Sequence, residues 1–85
     1  MKITVRFFAS LKELLKTSEL QLEIPSGVQT IAELREVLSQ RGEVWEQAFA
    51  PHQNLRAAQD LEMVGFDALL KDHSEIAFFP PVTGG

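Results

Sequence analysis

Only one stretch of this chain carries the apolar spacing of a long helix, and that restriction shapes everything it can fold into. Ile31, Leu34, Val37 and Leu38 fall on one helical face, with Glu33, Glu36 and Gln40 turned away. Thr30 and Glu33 have the spacing of a capping box that starts the helix, and Arg41-Gly42 supplies a basic last turn and a C-terminal cap. The flanking segments alternate instead. Ile3, Val5 and Phe7 alternate with Lys2, Thr4 and Arg6, and Leu20, Leu22 and Ile24 alternate with Glu19, Gln21 and Glu23. Period-2 alternation marks half-buried strands. One long helix covers one face of a sheet, so the expected fold is α+β, with the other sheet face open.

The remaining elements fit around that core. Ser10 and Glu13 read as a second capping box, opening a short helix with Leu11, Leu14 and Leu15 as its apolar stripe. Pro25-Ser26-Gly27 is a turn. Glu43 to Phe49 reads as a short helix broken before Pro51, with Trp45 at the edge of the core. Asn54 to Ala58, Leu61 to Phe66 and Glu75 to Phe79 are strand candidates. Side chains of successive strand residues point to opposite faces, so Phe78 and Phe79 cannot enter the same core. Glu75 marks the face of Ala77 and Phe79 as wet, which predicts Phe79 as an exposed ring; the alternative is that it folds under the Pro-Pro tail or against the short helix. Met63 faces outward by the same logic, opposite Val64 and Phe66.

Composition removes whole classes of function. The chain has 85 residues, no cysteine and a net charge of −4. Disulfides, thiolate nucleophiles and cysteine metal sites are excluded, and the acidic balance argues against nucleic acid as a partner. No apolar run approaches the ~20 residues of a membrane span, and the alternating start is unlike a signal peptide. A cytoplasmic protein with no membrane partner is the expectation. His52 and His73 lack ligand spacing, Gly27, Gly42 and Gly65 are isolated, and no serine sits in a His–Asp pattern. No metal site is expected.

What remains is the end of the chain. Pro80-Pro81-Val82-Thr83-Gly84-Gly85 is neither helix nor strand, which divides the chain into a domain at 1–79 and a tail at 80–85. The two glycines carry no Cβ, so a partner can close around them in a narrow channel. The prolines stiffen an extended approach and lower the entropy lost on capture. Extended, the tail reaches ~20 Å. Its one reactive group is the α-carboxyl of Gly85, which is ionised at neutral pH with a typical pKa of ~3.3–3.7 and needs activation before acyl chemistry. An inert tail on a plain binding module is the alternative.

Glu75-Ile76-Ala77-Phe78-Phe79-Pro80-Pro81-Val82-Thr83-Gly84-Gly85 closely resembles the C-terminal signature of the small, sulfur-carrying subunits of molybdopterin synthase, in the ubiquitin-like β-grasp superfamily. Val5-Arg6-Phe7-Phe8-Ala9-Ser10-Leu11-Lys12-Glu13-Leu14 is similar to that family's first strand and helix, and Thr30-Ile31-Ala32-Glu33-Leu34-Arg35 to the start of its main helix. The resemblance covers essentially the whole chain and implies a β-grasp fold: a mixed sheet of about five strands with one main helix across one face. It also implies a mechanism. A ubiquitin-activating-like adenylyltransferase, using ATP and Mg²⁺, converts the Gly85 carboxylate to a glycyl adenylate. A persulfide donor then yields the thiocarboxylate, a 1-thioglycine. The tail enters a large catalytic subunit within a heterotetramer and delivers sulfur to a cyclic pyranopterin precursor. No cofactor is bound by the chain itself. Gly85 carries the sulfur, Gly84, Thr83, Val82, Pro81 and Pro80 thread the tail, and Phe79 and Met63 form the docking patch. Related carriers for tRNA or thiamine thiolation, and protein modifiers, share the double glycine. Two departures stand out: Gln59-Asp60 replaces the family's Val-Asn pair before a hairpin turn, and Asp72-His73-Ser74 replaces Asp-Gly-Asp, which strains His73 if φ there is positive.

Overall fold

The computed structural model describes residues 1–81. Five strands and three helices run in the order β1 (Lys2–Phe7), α1 (Ala9–Leu15), β2 (Glu19–Glu23), α2 (Ile31–Ser39), α3 (Glu43–Ala48), β3 (Arg56–Gln59), β4 (Glu62–Val64), β5 (Glu75–Phe79). The sheet order is β2-β1-β5-β3-β4. β1 and β5 are parallel at its centre and the other pairings are antiparallel. This is the mixed five-stranded β-grasp sheet that the resemblance implied.

The alternating segments put Val5, Phe7, Ile76 and Phe78 on the covered face, where they meet Ile31, Leu34 and Leu38 of α2 in one core. Burying side chains of this size contributes roughly 1.5–3 kcal/mol each. Phe78 also packs edge-on against Phe49 (5.4 Å between centroids), and Phe7 edge-on against Trp45 (5.5 Å). Trp45 is half-buried, at the core's edge as expected. The α2 capping box forms as its spacing predicts: Glu33 N–H donates to Thr30 Oγ1 (3.2 Å), and Thr30 N–H donates to Glu33 Oε1 (3.0 Å). Gln29 N–H donates to the same carboxylate (2.9 Å), and these two backbone donors hold the Glu33 pKa below its ordinary value. Arg35 reaches from α2 to the connection before β3. Its Nε donates to Phe49 O (3.0 Å), and its Nη2 to Ala50 O (2.6 Å) and Gln53 O (2.9 Å).

Several expectations are corrected. Ser10 is not a helix cap. α1 begins at Ala9 behind Phe8, whose N–H remains bonded to Phe78 O (3.2 Å), so the β1–β5 ladder sets the start. Leu14 is exposed while Leu11 and Leu15 enter the core. Gly42 does not end α2, whose C-cap is Gln40; at φ 152° it stands at the start of α3 instead. The Arg41 guanidinium lies over the Trp45 ring (4.9 Å) rather than in the last turn of α2. β3 runs two residues later than Asn54, and β4 ends at Val64 rather than Phe66. Gln59 therefore closes β3 and is 5% exposed. Its Nε2 donates to Leu69 O (3.1 Å), while its Oε1 accepts from Lys71 N–H (3.0 Å) and Ser74 Oγ (3.0 Å). Asp60 (φ 49°) and Leu61 (φ 72°) form the two-residue hairpin loop to β4, the positive-φ pair of a type I′ turn. His73 has φ 63°, the strained conformation anticipated for it.

The candidate docking face and C-terminal exit

The uncovered sheet face follows from strand parity and register. Glu19, Arg6, Ala77, Ala58 and Met63 form one row across all five strands. Ala77 and Ala58 are small and half-buried, so the middle of this row is a shallow apolar floor. Met63 stands at one end with 62% of its surface exposed. At the other end Arg6 bridges two carboxylates, through Nη2 to Glu19 Oε1 (3.0 Å) and Nε to Glu75 Oε1 (3.1 Å). Such exposed pairs contribute little to stability. They gather charge around Arg6 at the β1–β2 side and the start of β5, while the row from Ala77 through Ala58 to Met63 is apolar.

The next row holds Phe79, with Arg56 opposite it on β3. Phe79 is half-buried, between the exposed ring and the folded-under ring that the sequence left open. Parity places it on the open face as predicted. Arg56 stands opposite it on β3, and Phe8 follows Phe7, the last β1 residue paired with β5. Sequence reasoning missed Phe8, which is 42% exposed. Its signal was the continuation of the outward series Thr4, Arg6, Phe8. The open face thus carries Phe8, Phe79, Ala77, Ala58 and Met63 as an apolar strip, edged by Arg6 and Arg56. An apolar centre with a charged edge suits a protein partner.

β5 ends at Phe79, so the chain leaves the sheet from this strip. Pro80 and Pro81 are half-buried at the exit. Val82, Thr83, Gly84 and Gly85, the predicted remainder of the tail and its acyl terminus, lie outside the described residues. His52 and His73 are both exposed and lie on separate loops, and among the described residues no metal-binding cluster of His or acidic side chains occurs. An open cleft of about 460 Å³ is lined by Lys2, Thr4, Gln21, Glu23 and His73, at the opposite end of β1 from the exit. Beside it, Lys2 N–H donates to Asp72 Oδ1 (2.9 Å) and lowers the Asp72 pKa. Among the described residues no helix is long and apolar enough to cross a membrane.

Comparison with known proteins follows the same lines. The chain matches the ThiS family over residues 5–85. It is 39% identical over 83 residues to the molybdopterin synthase sulfur carrier subunit of Escherichia coli, covering 98% of this chain and 99% of that one, and 37% identical, with the same coverage, to that of Haemophilus influenzae. Among solved structures, a complex of subunits 1 and 2 of the molybdopterin-converting factor from Helicobacter pylori contains a chain 26% identical to this one. The match covers all of both chains with a TM-score of 0.67.

Proposed function

Because the chain belongs to the ThiS family, we propose that it is the sulfur carrier subunit of a molybdopterin synthase, with Gly85 as the atom-carrying terminus. Two supports combine: the family match runs through to Gly85, and β5 delivers the tail from the edge of an apolar strip on the open sheet face. The body addresses partners through Phe79 and Met63, joined by Phe8, while the catalytic acids and bases belong to those partners.

The chemistry follows from the state of the terminus. A carboxylate resists nucleophiles because its carbonyl is electron-rich and its leaving group is poor. Attack of the Gly85 carboxylate on the α-phosphorus of ATP, with Mg²⁺ on the phosphates, expels pyrophosphate and gives an acyl-adenylate. The terminal sulfur of a persulfide then displaces AMP. A thiol cleaves the resulting acyl disulfide, leaving the thiocarboxylate on Gly85 and a disulfide on the donor. In the large subunit this sulfur attacks the cyclic pyranopterin precursor, and water returns Gly85 to the carboxylate. A dithiolene needs two such deliveries, which fits a heterotetramer holding two carriers. The absence of a Cβ at Gly84 and Gly85 lets both enzymes close around the same terminus.

Intact mass measurement of the chain, isolated from cells that contain the activating enzyme, tests this reading. The expected product has one terminal oxygen replaced by sulfur. A Gly85-deleted chain that still supports full molybdopterin synthesis refutes it. Copurification with a pterin-binding large subunit, rather than with a tRNA-modifying enzyme, separates it from related carriers.

A further inference from the structure

The β5 ladder stops at Phe79, level with the first residue of β3 and one residue beyond the last β1 pair, Phe7↔Phe78. Backbone groups of successive β5 residues point alternately to the two sides. Ser74 O accepts from Thr4 N–H (3.1 Å) and Phe78 O from Phe8 N–H (3.2 Å), so even-numbered residues face β1. Glu75 O accepts from Asp60 N–H (2.9 Å), so odd-numbered residues face β3. One more step on the β1 side would bring an N–H at position 80 to the carbonyl of Phe8. One more step on the β3 side, two residues beyond the Arg56↔Phe79 pair, would bring an N–H at position 81 to Asn54. Both positions are proline, the residue without a backbone donor. The Phe8 carbonyl instead accepts from Lys12 N–H (3.4 Å), at the start of α1.

A single proline would close only one side, because consecutive N–H groups face opposite neighbours. We propose that Pro80 and Pro81 are a two-sided ladder stop, Pro80 against β1 and Pro81 against β3. They keep the carrier's own sheet from capturing the chain that follows, so the terminal glycines stay available to the processing enzymes. Only this last clause rests on the sulfur-carrier reading; the stop itself is a property of the backbone. Threading stiffness needs prolines in the tail but is indifferent to which neighbour each faces. The stop requires one proline of each parity immediately after the last paired residue.

The test uses the full chain with Pro80→Ala, Pro81→Ala and the double substitution, followed by amide hydrogen exchange. Both prolines lie after β5 and outside the core, and Pro81→Val serves as a second variant should alanine fray the strand. One restored hydrogen bond slows exchange by about fivefold. The expected result is at least that protection at residue 81 in Pro81→Ala, and at residues 80 and 81 in the double variant, with a cross-strand contact between residues 54 and 81. Adenylation by the activating enzyme, followed as ATP–pyrophosphate exchange, is expected to fall by a similar factor in the double variant, since only the unpaired fraction is competent. Exchange at coil rates at both positions of the double variant overturns the stop. Protection without loss of adenylation overturns its functional consequence. A wild-type chain that the activating enzyme ignores defeats the sulfur-carrier reading and leaves the exchange result to judge the stop.

Discussion

Replacing Gln59 with valine is expected to destabilise the domain by about 2 kcal/mol. Gln59 is buried and ties β3 to the segment that feeds β5, through Leu69 O, Lys71 N–H and Ser74 Oγ. Valine removes all three bonds. Ser74 Oγ keeps its bond to Lys71 O (2.6 Å), so the Leu69 carbonyl and the Lys71 N–H are the groups left without these partners. A buried polar group so stranded costs ~1–3 kcal/mol, and the two share partial access to water, which brings the sum to the low end less the gain from valine's methyls. For a chain of 85 residues the entropy of unfolding is ~0.18 kcal/mol/K, so 2 kcal/mol lowers the midpoint by ~11 °C. Differential scanning calorimetry reads the shift, and far-UV circular dichroism at 25 °C checks that the fold persists. Sulfur loading at permissive temperature is expected to survive, because β1 and β3 still hold β5 in register. A Gln59→Val midpoint equal to or above that of the wild type refutes the reasoning: it would mean the 69–74 segment needs no internal polar anchor.

Three further outcomes follow from the geometry. Phe79→Glu and Met63→Glu each place a charge in the apolar strip and are expected to weaken binding to the large subunit at least tenfold by calorimetry, a cost of about 1.4 kcal/mol, while leaving the thermal midpoint within a few degrees; unchanged affinity removes that residue from the docking face. Leu61→Gly relieves a 91% exposed side chain at φ 72°, where left-handed backbone costs ~1–2 kcal/mol, offset in part by glycine's unfolded-state entropy; the midpoint should rise by a few degrees, and a fall would show that the turn is not strained. Glu33→Gln tests the capping carboxylate. Its folded pKa is lowered by the N–H groups of Gln29 and Thr30, so its stabilisation is present above the ordinary carboxylate range and is lost as pH falls through the folded value. Below about pH 5 the wild type should lose stability more steeply than Glu33→Gln, and parallel acid limbs in denaturation would contradict this.

Local signals in the chain were legible where the physics is local. The Thr30–Glu33 capping box involves residues three apart, and it forms as its spacing says. Face parity along β5 needs only the alternation of a pleated strand, so Phe78 inside and Phe79 outside could be read from five residues. The Ser10–Glu13 pair has the same local spacing and fails, because the bond from Phe8 N–H to Phe78 O, made across the sheet, decides where α1 begins. Gln59 shows a similar limit. A polar residue before a turn reads as solvated, and only the return of residues 69–74 over it gives it buried partners.

From its sequence alone, then, this chain determined the kind and order of most of its elements, its two-sided strands and its main covering helix. The tertiary structure decided which strands are neighbours, and hence that Arg6, Ala77, Ala58 and Met63 share one row of the open face and that Phe79 stands opposite Arg56. The reason is range. Periodicity and capping act within a turn or a pleat, whereas hydrogen-bond partners across β1, β5 and β3 are set by residues tens of positions apart, whose pairing no local pattern records.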